Sequence, residues 1–201
     1  MAAIVSHFFA YVSRLRWIKR WGLMRNAIEE NVATHSWEVA TLAHALAIIR
    51  NHRFGGKVNA DRVAAAALYH DATEVITGDM PTPVKYHSKV MRDAFGDIEH
   101  KAEAELLALL PRDLQPAFAP YVRESQLAGE EKELIKAADR LSAWLKCQAE
   151  IRAGNQEFGP AASQIRQRLE GDGLPEVQYF LEVFAPSYDQ PLDSLLGEPG
   201  H

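Results

Sequence analysis

Apolar positions along the chain recur at spacings of three and four rather than in alternation, so the sequence predicts helices and no strands. Val5, Phe8, Phe9, Val12 and Leu15 share such a spacing and predict a packed first helix. A second helix is expected over about 34–51, with Thr34 as its N-cap and His35, Val39, Leu42, Leu46 and Ile49 on one face. Phe54-Gly55-Gly56 breaks the pattern, and Asn59 then caps a third helix whose stripe reads Val63, Ala67, His70, Asp71 and Glu74. Gly78-Asp79-Met80-Pro81-Thr82-Pro83 ends it, because two prolines and a glycine cannot continue a helix. A long helix follows over about 88–110, then a short helical connection punctuated by Pro111, Pro116 and Pro120. Further helices are expected at about 129–153, 163–170 and 175–184. The expected architecture is all-α, a single-domain helical bundle over 1–185 with an irregular C-terminal tail, rich in Pro and Gly, over 186–201.

Composition narrows the class. The 201 residues suit one domain, and 47% apolar with 24% charged residues describes a globular chain, neither disordered nor membrane-embedded. No apolar run is long enough to span a bilayer. A net charge of -5 argues against a polymeric nucleic acid partner. The basic cluster Arg14, Arg16, Lys19, Arg20 and Arg25 could meet one phosphate but is too small to track a backbone. Cys147 is the only cysteine, and the opening segment has no secretory pattern, so a reducing, cytoplasmic setting is expected.

Candidate chemistry lies in polar groups on faces that should be buried. His35 sits on an apolar face; His70, Asp71 and Glu74 interrupt the core stripe of an alanine-rich helix; Asp139 lies in an otherwise apolar row beside Ile135 and Ala138. A lone buried histidine is usually a hydrogen-bonded core residue, and Asp139 alone could pair with Arg140. Buried carboxylates need a cation or a metal, however, and two imidazoles with two carboxylates from three helices form a mixed nitrogen and oxygen donor set. Such a set suits manganese, cobalt, iron or zinc better than calcium and leaves octahedral positions for water and a substrate oxygen. His7, His44, His52, His87 and His100 show no comparable constellation.

The ordered quartet His35, His70-Asp71 and Asp139 resembles the signature of HD-domain phosphohydrolases. Ser6-His7-Phe8-Phe9-Ala10, Arg20-Trp21, Leu23-Met24-Arg25-Asn26, Glu30-Asn31-Val32, Tyr69-His70-Asp71-Ala72-Thr73-Glu74, the 78–86 segment, Lys136-Ala137-Ala138-Asp139 and Phe184-Ala185-Pro186-Ser187 are similar to the bacterial 5'-deoxynucleotidases. The resemblance covers nearly the whole chain. It implies an HD-domain fold and one divalent metal ion on His35, His70, Asp71 and Asp139. Cobalt or manganese come first as that ion, with zinc, iron, copper or magnesium also compatible. It implies Glu74 as the catalytic acid, base or water-orienting group, and Arg20 as the bidentate grip on the phosphate. It places Trp21 on the sugar, against a 2'-hydroxyl, and Asp79, Met80, Pro81 and Thr82 along the nucleoside, with His35, Asp71 and Asp139 also facing substrate. The implied reaction converts a deoxyribonucleoside 5'-monophosphate to deoxynucleoside and inorganic phosphate, and the implied assembly is a homodimer.

Two rivals remain at this point. Another phosphohydrolase, acting on the alarmone (p)ppGpp or a nucleoside triphosphate, would need acidity at Val75 or further cations around the pocket, where Arg20 stands alone in the sequence reading. A non-catalytic helical binding module would not need all four ligands and Glu74.

Overall fold

The computed structural model describes residues 5–195. Among them no β-strand forms, and one antiparallel bridge pairs Lys19 with Asn31. α1 (Phe8–Val12) tightens into a 3-10 turn (Ser13–Trp17), and an irregular stretch leads to α2 (Val32–Phe54). Then come α3 (Ala60–Ala67), α4 (Glu74–Thr77), α5 (Thr82–Lys85), α6 (Lys89–Ala108), α7 (Gln115–Val122) and α8 (Gly129–Arg152). α9 (Gly159–Gly171), α10 (Pro175–Val183) and α11 (Leu192–Leu195) close the chain.

α2 is the axis of the bundle, because apolar residues surround most of its circumference. Val39, Leu42, Ala43, Leu46 and Ala47 are buried there against α3, α8 and α10 in one core. Truncating a side chain as enclosed as Leu46 costs about 2–5 kcal/mol. A second cluster joins Phe8 to Leu106, Leu107 and Val122, and a third joins Cys147, Phe158 and Ala162, with Trp21 and Met24 packed on it. Burial pushes the Cys147 thiol up to about 12, so it is an inert core group.

The helix ends follow from local chemistry. Asn59 accepts from the Arg62 amide at 2.9 Å, and Ser88 from the Met91 amide at 3.1 Å, as N-caps do. Asn31, not Thr34, caps α2: its side chain accepts from the Thr34 amide at 3.0 Å, so the helix starts at Val32. Gly55 ends α2 in the left-handed region (φ 71°), where a side chain would be strained.

Three expectations change. In the first helix only Phe8 and Leu15 are buried; Val5 and Phe9 face solvent, Phe9 with its ring edge toward Phe118. The third helix is not continuous: α3 stops at Ala67, and turns with i→i+3 bonds run to Thr73 before α4 resumes. The tail expected to be irregular over 186–201 opens inside a 3-10 turn (Ala185–Asp189) held by Arg152, which bonds the Tyr188 carbonyl and the Asp189 carboxylate, and α11 follows. Residues 196–201 of that expectation lie outside the described residues.

Candidate metal centre

His35, on the first full turn of α2, is entirely buried. Its Nδ1 lies 3.1 Å from Ser142 Oγ on α8, and that hydroxyl donates to Glu38 Oε2 at 2.6 Å. On the other side of the ring, Nε2 is buried without a hydrogen bond of good geometry, 3.0 Å from Asp139 Oδ1 and 3.6 Å from Asp71 Oδ2.

His70 and Asp71 occupy the unwound stretch between α3 and α4. In an unbroken α-helix the Ala67 carbonyl would accept the Asp71 amide. Here it takes the His70 amide at 3.4 Å and the His70 Nδ1 at 2.7 Å. A carbonyl only accepts, so Nδ1 carries the hydrogen and Nε2 is turned inward. That Nε2 is also buried without a hydrogen bond of good geometry, 3.1 Å from Asp71 Oδ2. His35 and His70 rings stand 5.4 Å apart between centroids. Donor atoms of His35, His70 and Asp71 all lie within 4.8 Å of one another.

The fourth expected ligand, Asp139, reaches His35 but lies outside that trio. Its alternative partner is otherwise engaged, because Arg140 pairs with Asp172 of the α9 end. The set fits a divalent cation: two buried imidazole nitrogens with no hydrogen-bond partner converge on a shared carboxylate, with a second carboxylate beside them.

The charges respond to this crowding. Burial alone would lower His70 and raise Asp71, but each outweighs burial for the other: His70 is pushed up to about 9 and Asp71 falls well below its ordinary range. Asp139 is likewise lowered, its burial overcome by the nearness of the His35 and His70 rings. Glu74 goes the other way, to about 9, because it is buried and faces the Asp71 and Asp79 carboxylates. Tight i→i+3 turns stack residues three apart, which brings Glu74 over Asp71. Glu74 Oε2 has no hydrogen-bond partner.

Arg20 arrives from the irregular stretch before α2. Its Nη1 lies 3.5 Å from Asp71 Oδ2, and Nε bonds Glu30 Oε2 at 3.2 Å. The same Glu30 oxygen accepts from Trp21 Nε1 at 2.8 Å, so one carboxylate holds both side chains. Trp21 sits at φ 58°, a conformation bulky residues adopt only when their surroundings enforce it. Its ring packs on Phe158 at 5.2 Å. The stretch is clamped from α8: Glu150 accepts from the Ala27 and Ile28 amides at 2.8 and 2.9 Å, and from Asn155 Nδ2 at 2.8 Å. Lys146 bonds both Glu150 and the Ile28 carbonyl.

A cavity of 630 Å³ opens beside His70, Asp71 and Asp139. Asp79 faces Arg20 and Asp71, with its carboxyl raised by burial against the pull of Arg20. Met80 and Pro81 are half-buried and Thr82 is exposed, and none of the three lines this cavity. The expectation that Arg20 is the one nearby cation does not hold: Lys85, Arg92, Lys132, Lys136 and Arg140 all line the cavity. Three are matched by carboxylates, Lys85 by Glu99, Lys136 by Glu124 and Arg140 by Asp172. Sequence reasoning gave no role to Glu38, Glu30 or Glu150. A signal existed for Glu150, four residues beyond Lys146 on one helix face.

Comparison with known proteins supplies the family. The family model described as 5'-deoxynucleotidase YfbR-like matches residues 7–188. A 5'-deoxynucleotidase of Pasteurella multocida is 48% identical over 95% of this chain and 98% of the relative. The 5'-deoxynucleotidase YfbR of Shigella boydii is 50% identical over 94% of this chain and 96% of the relative. Among solved structures, an HD-domain phosphohydrolase from Listeria innocua superposes with a TM-score of 0.78 at 25% identity, covering 90% of this chain and 88% of the other. A cyanophage S-2L HD phosphohydrolase, bound to dA and one catalytic Zn2+ ion, shares the fold with a TM-score of 0.61 at 22% identity, over 89% and 96% of the two chains. A family model matched over residues 7–188 and relatives about half identical along nearly the full length make this protein a member of the YfbR-like 5'-deoxynucleotidase family.

Proposed function

We propose that the protein is a metal-dependent phosphomonoesterase that cleaves deoxyribonucleoside 5'-monophosphates to deoxynucleoside and inorganic phosphate. The observation that carries this reading is the convergence of two hydrogen-bond-free imidazole nitrogens on Asp71, with the Arg20 guanidinium 3.5 Å from that same carboxylate. Family membership and the names of the relatives supply the substrate class.

In this reading His35, His70, Asp71 and Asp139 hold one divalent cation, cobalt or manganese first. Such an ion supplies charge neutralisation for phosphate oxygens and a more acidic water. Arg20, fixed through Nε by Glu30, turns its remaining N–H groups toward the phosphate and holds phosphorus in line for attack. Water adds to phosphorus as the bond to the 5'-oxygen breaks. Glu74, protonated near neutrality because its carboxyl is raised to about 9, gives its proton to the departing 5'-oxygen and is reprotonated from solvent, which takes up the proton lost by the attacking water. Trp21 and the 79–82 segment receive the deoxynucleoside, with Trp21 standing against a 2'-hydroxyl. The enzyme works as a cytoplasmic homodimer; among the described residues no helix is long and apolar enough to cross a membrane.

The test is phosphate release from deoxy- and ribonucleoside monophosphates, deoxynucleoside triphosphates and (p)ppGpp, with each metal and with a chelator. Deoxynucleoside monophosphates should be preferred, and the chelator should stop turnover. Equal rates on ribonucleotides, faster release from triphosphates, or indifference to chelation would refute the reading.

A further inference from the structure

We infer that Ser142 and Glu38 are positioning residues that fix the tautomer and direction of the His35 ring, so that Nε2 offers its lone pair to the cation. The inference rests on the reading of His35 as a metal ligand and goes beyond it to residues that touch neither cation nor substrate.

A serine hydroxyl owns one hydrogen. A carboxylate oxygen accepts only, and the 2.6 Å separation between Ser142 Oγ and Glu38 Oε2 is that of a short hydroxyl-to-carboxylate bond. Ser142 has therefore spent its hydrogen on Glu38, and toward His35 it can only accept. The hydrogen in the 3.1 Å contact then belongs to His35 Nδ1, and Nε2 is left as the free nitrogen. Nε2 is the atom that lies buried, without a hydrogen-bond partner, beside Asp139 and Asp71.

Burial makes the arrangement exclusive. His35 and Ser142 are both fully enclosed, so water does not compete for Nδ1. Glu38 lies one turn along α2 from His35, and Ser142 reaches in from α8, so the chain ties ligand direction to the packing of the two helices. His70 reaches the same tautomer by another route, through the Ala67 carbonyl. Groups of this kind around a metal-bound histidine typically contribute 10- to 100-fold in metal affinity.

The test measures Zn2+ binding to the full chain by calorimetry for the wild type, Ser142→Ala, Ser142→Thr, Glu38→Ala and His35→Ala. Nitrogen chemical shifts of the His35 ring are recorded in the Zn2+-loaded wild type. Ser142→Ala and Glu38→Ala should weaken Zn2+ binding by about 10- to 100-fold, Ser142→Thr should restore it, and the shifts should report hydrogen on Nδ1. If His35→Ala binds Zn2+ as the wild type does, the metal reading itself fails. If His35→Ala loses the ion while Ser142→Ala and Glu38→Ala keep wild-type affinity, the positioning inference is overturned. Should Ser142→Ala not fold, hydrogen found on Nε2 of the wild type overturns it equally.

Discussion

Replacing Glu150 by Gln should destabilise the protein by about 3–5 kcal/mol, the usual result of breaking a buried ion pair from one side. Glu150 is fully enclosed, and its oxygens accept from two amides, from Asn155 and from Lys146, itself nearly buried. Glutamine keeps the shape but turns one acceptor into an NH2 group facing donors, and it leaves the Lys146 ammonium with neutral acceptors and no opposite charge. For a chain of this size each kcal/mol moves Tm by about 2–4 °C, so a drop of roughly 6–20 °C follows. Acidity provides a second readout. Burial would raise this carboxyl, but the Lys146 bond, the Ala27 and Ile28 amides and Asn155 outweigh it and hold the group at about 2, below the ordinary 4.5. Because the folded value lies under the unfolded one, the stabilisation is complete above about pH 4.5 and fades as pH falls toward about 2. Urea unfolding of both proteins should therefore show a constant gap between about pH 7 and pH 5, narrowing by about pH 3. A gap under about 1 kcal/mol at neutral pH, or one that widens on acidification, would refute the clamp.

Other outcomes follow from the same geometry. His70→Ala and Asp71→Ala should each abolish Zn2+ binding and phosphate release together, as elemental analysis and a phosphate assay would show; a variant that keeps the ion removes that side chain from the ligand set. Glu74→Gln should retain the ion but lose about 10²–10⁴ of kcat, and a wild-type rate would remove Glu74 from proton transfer. Trp21→Ala should narrow the preference for deoxyribose over ribose measured as a kcat/KM ratio. An unchanged ratio would leave the ring with packing on Phe158 as its role.

The parts of the site that were legible in the sequence are those where a polar residue breaks a regular apolar row. His35 stands out because Val39, Leu42 and Leu46 behind it are core residues, and Asp139 because Ile135, Ala138 and Ser142 are. The unwinding after Ala67 carried no such mark. Residues 68–73 contain neither Gly nor Pro, and the carbonyl that an Asp71 amide would meet in a helix faces the His70 imidazole instead, a contact that local propensity does not encode. Of Glu150 the sequence shows only its place four residues beyond Lys146 on one helix face; its amide partners lie more than a hundred residues earlier, in a stretch without periodicity. The cations around the cavity come from α5, α6 and α8, brought together only by folding.

Ala67 gives its carbonyl to an imidazole rather than to the next turn, which sets local order and ligand geometry in direct competition for a single oxygen. Engineering that raises helix propensity across 68–73 should make a sturdier protein with a misdirected His70. Heat tolerance and turnover are thus opposed at that one atom, and improvements to the first are better sought in the α2–α10 packing.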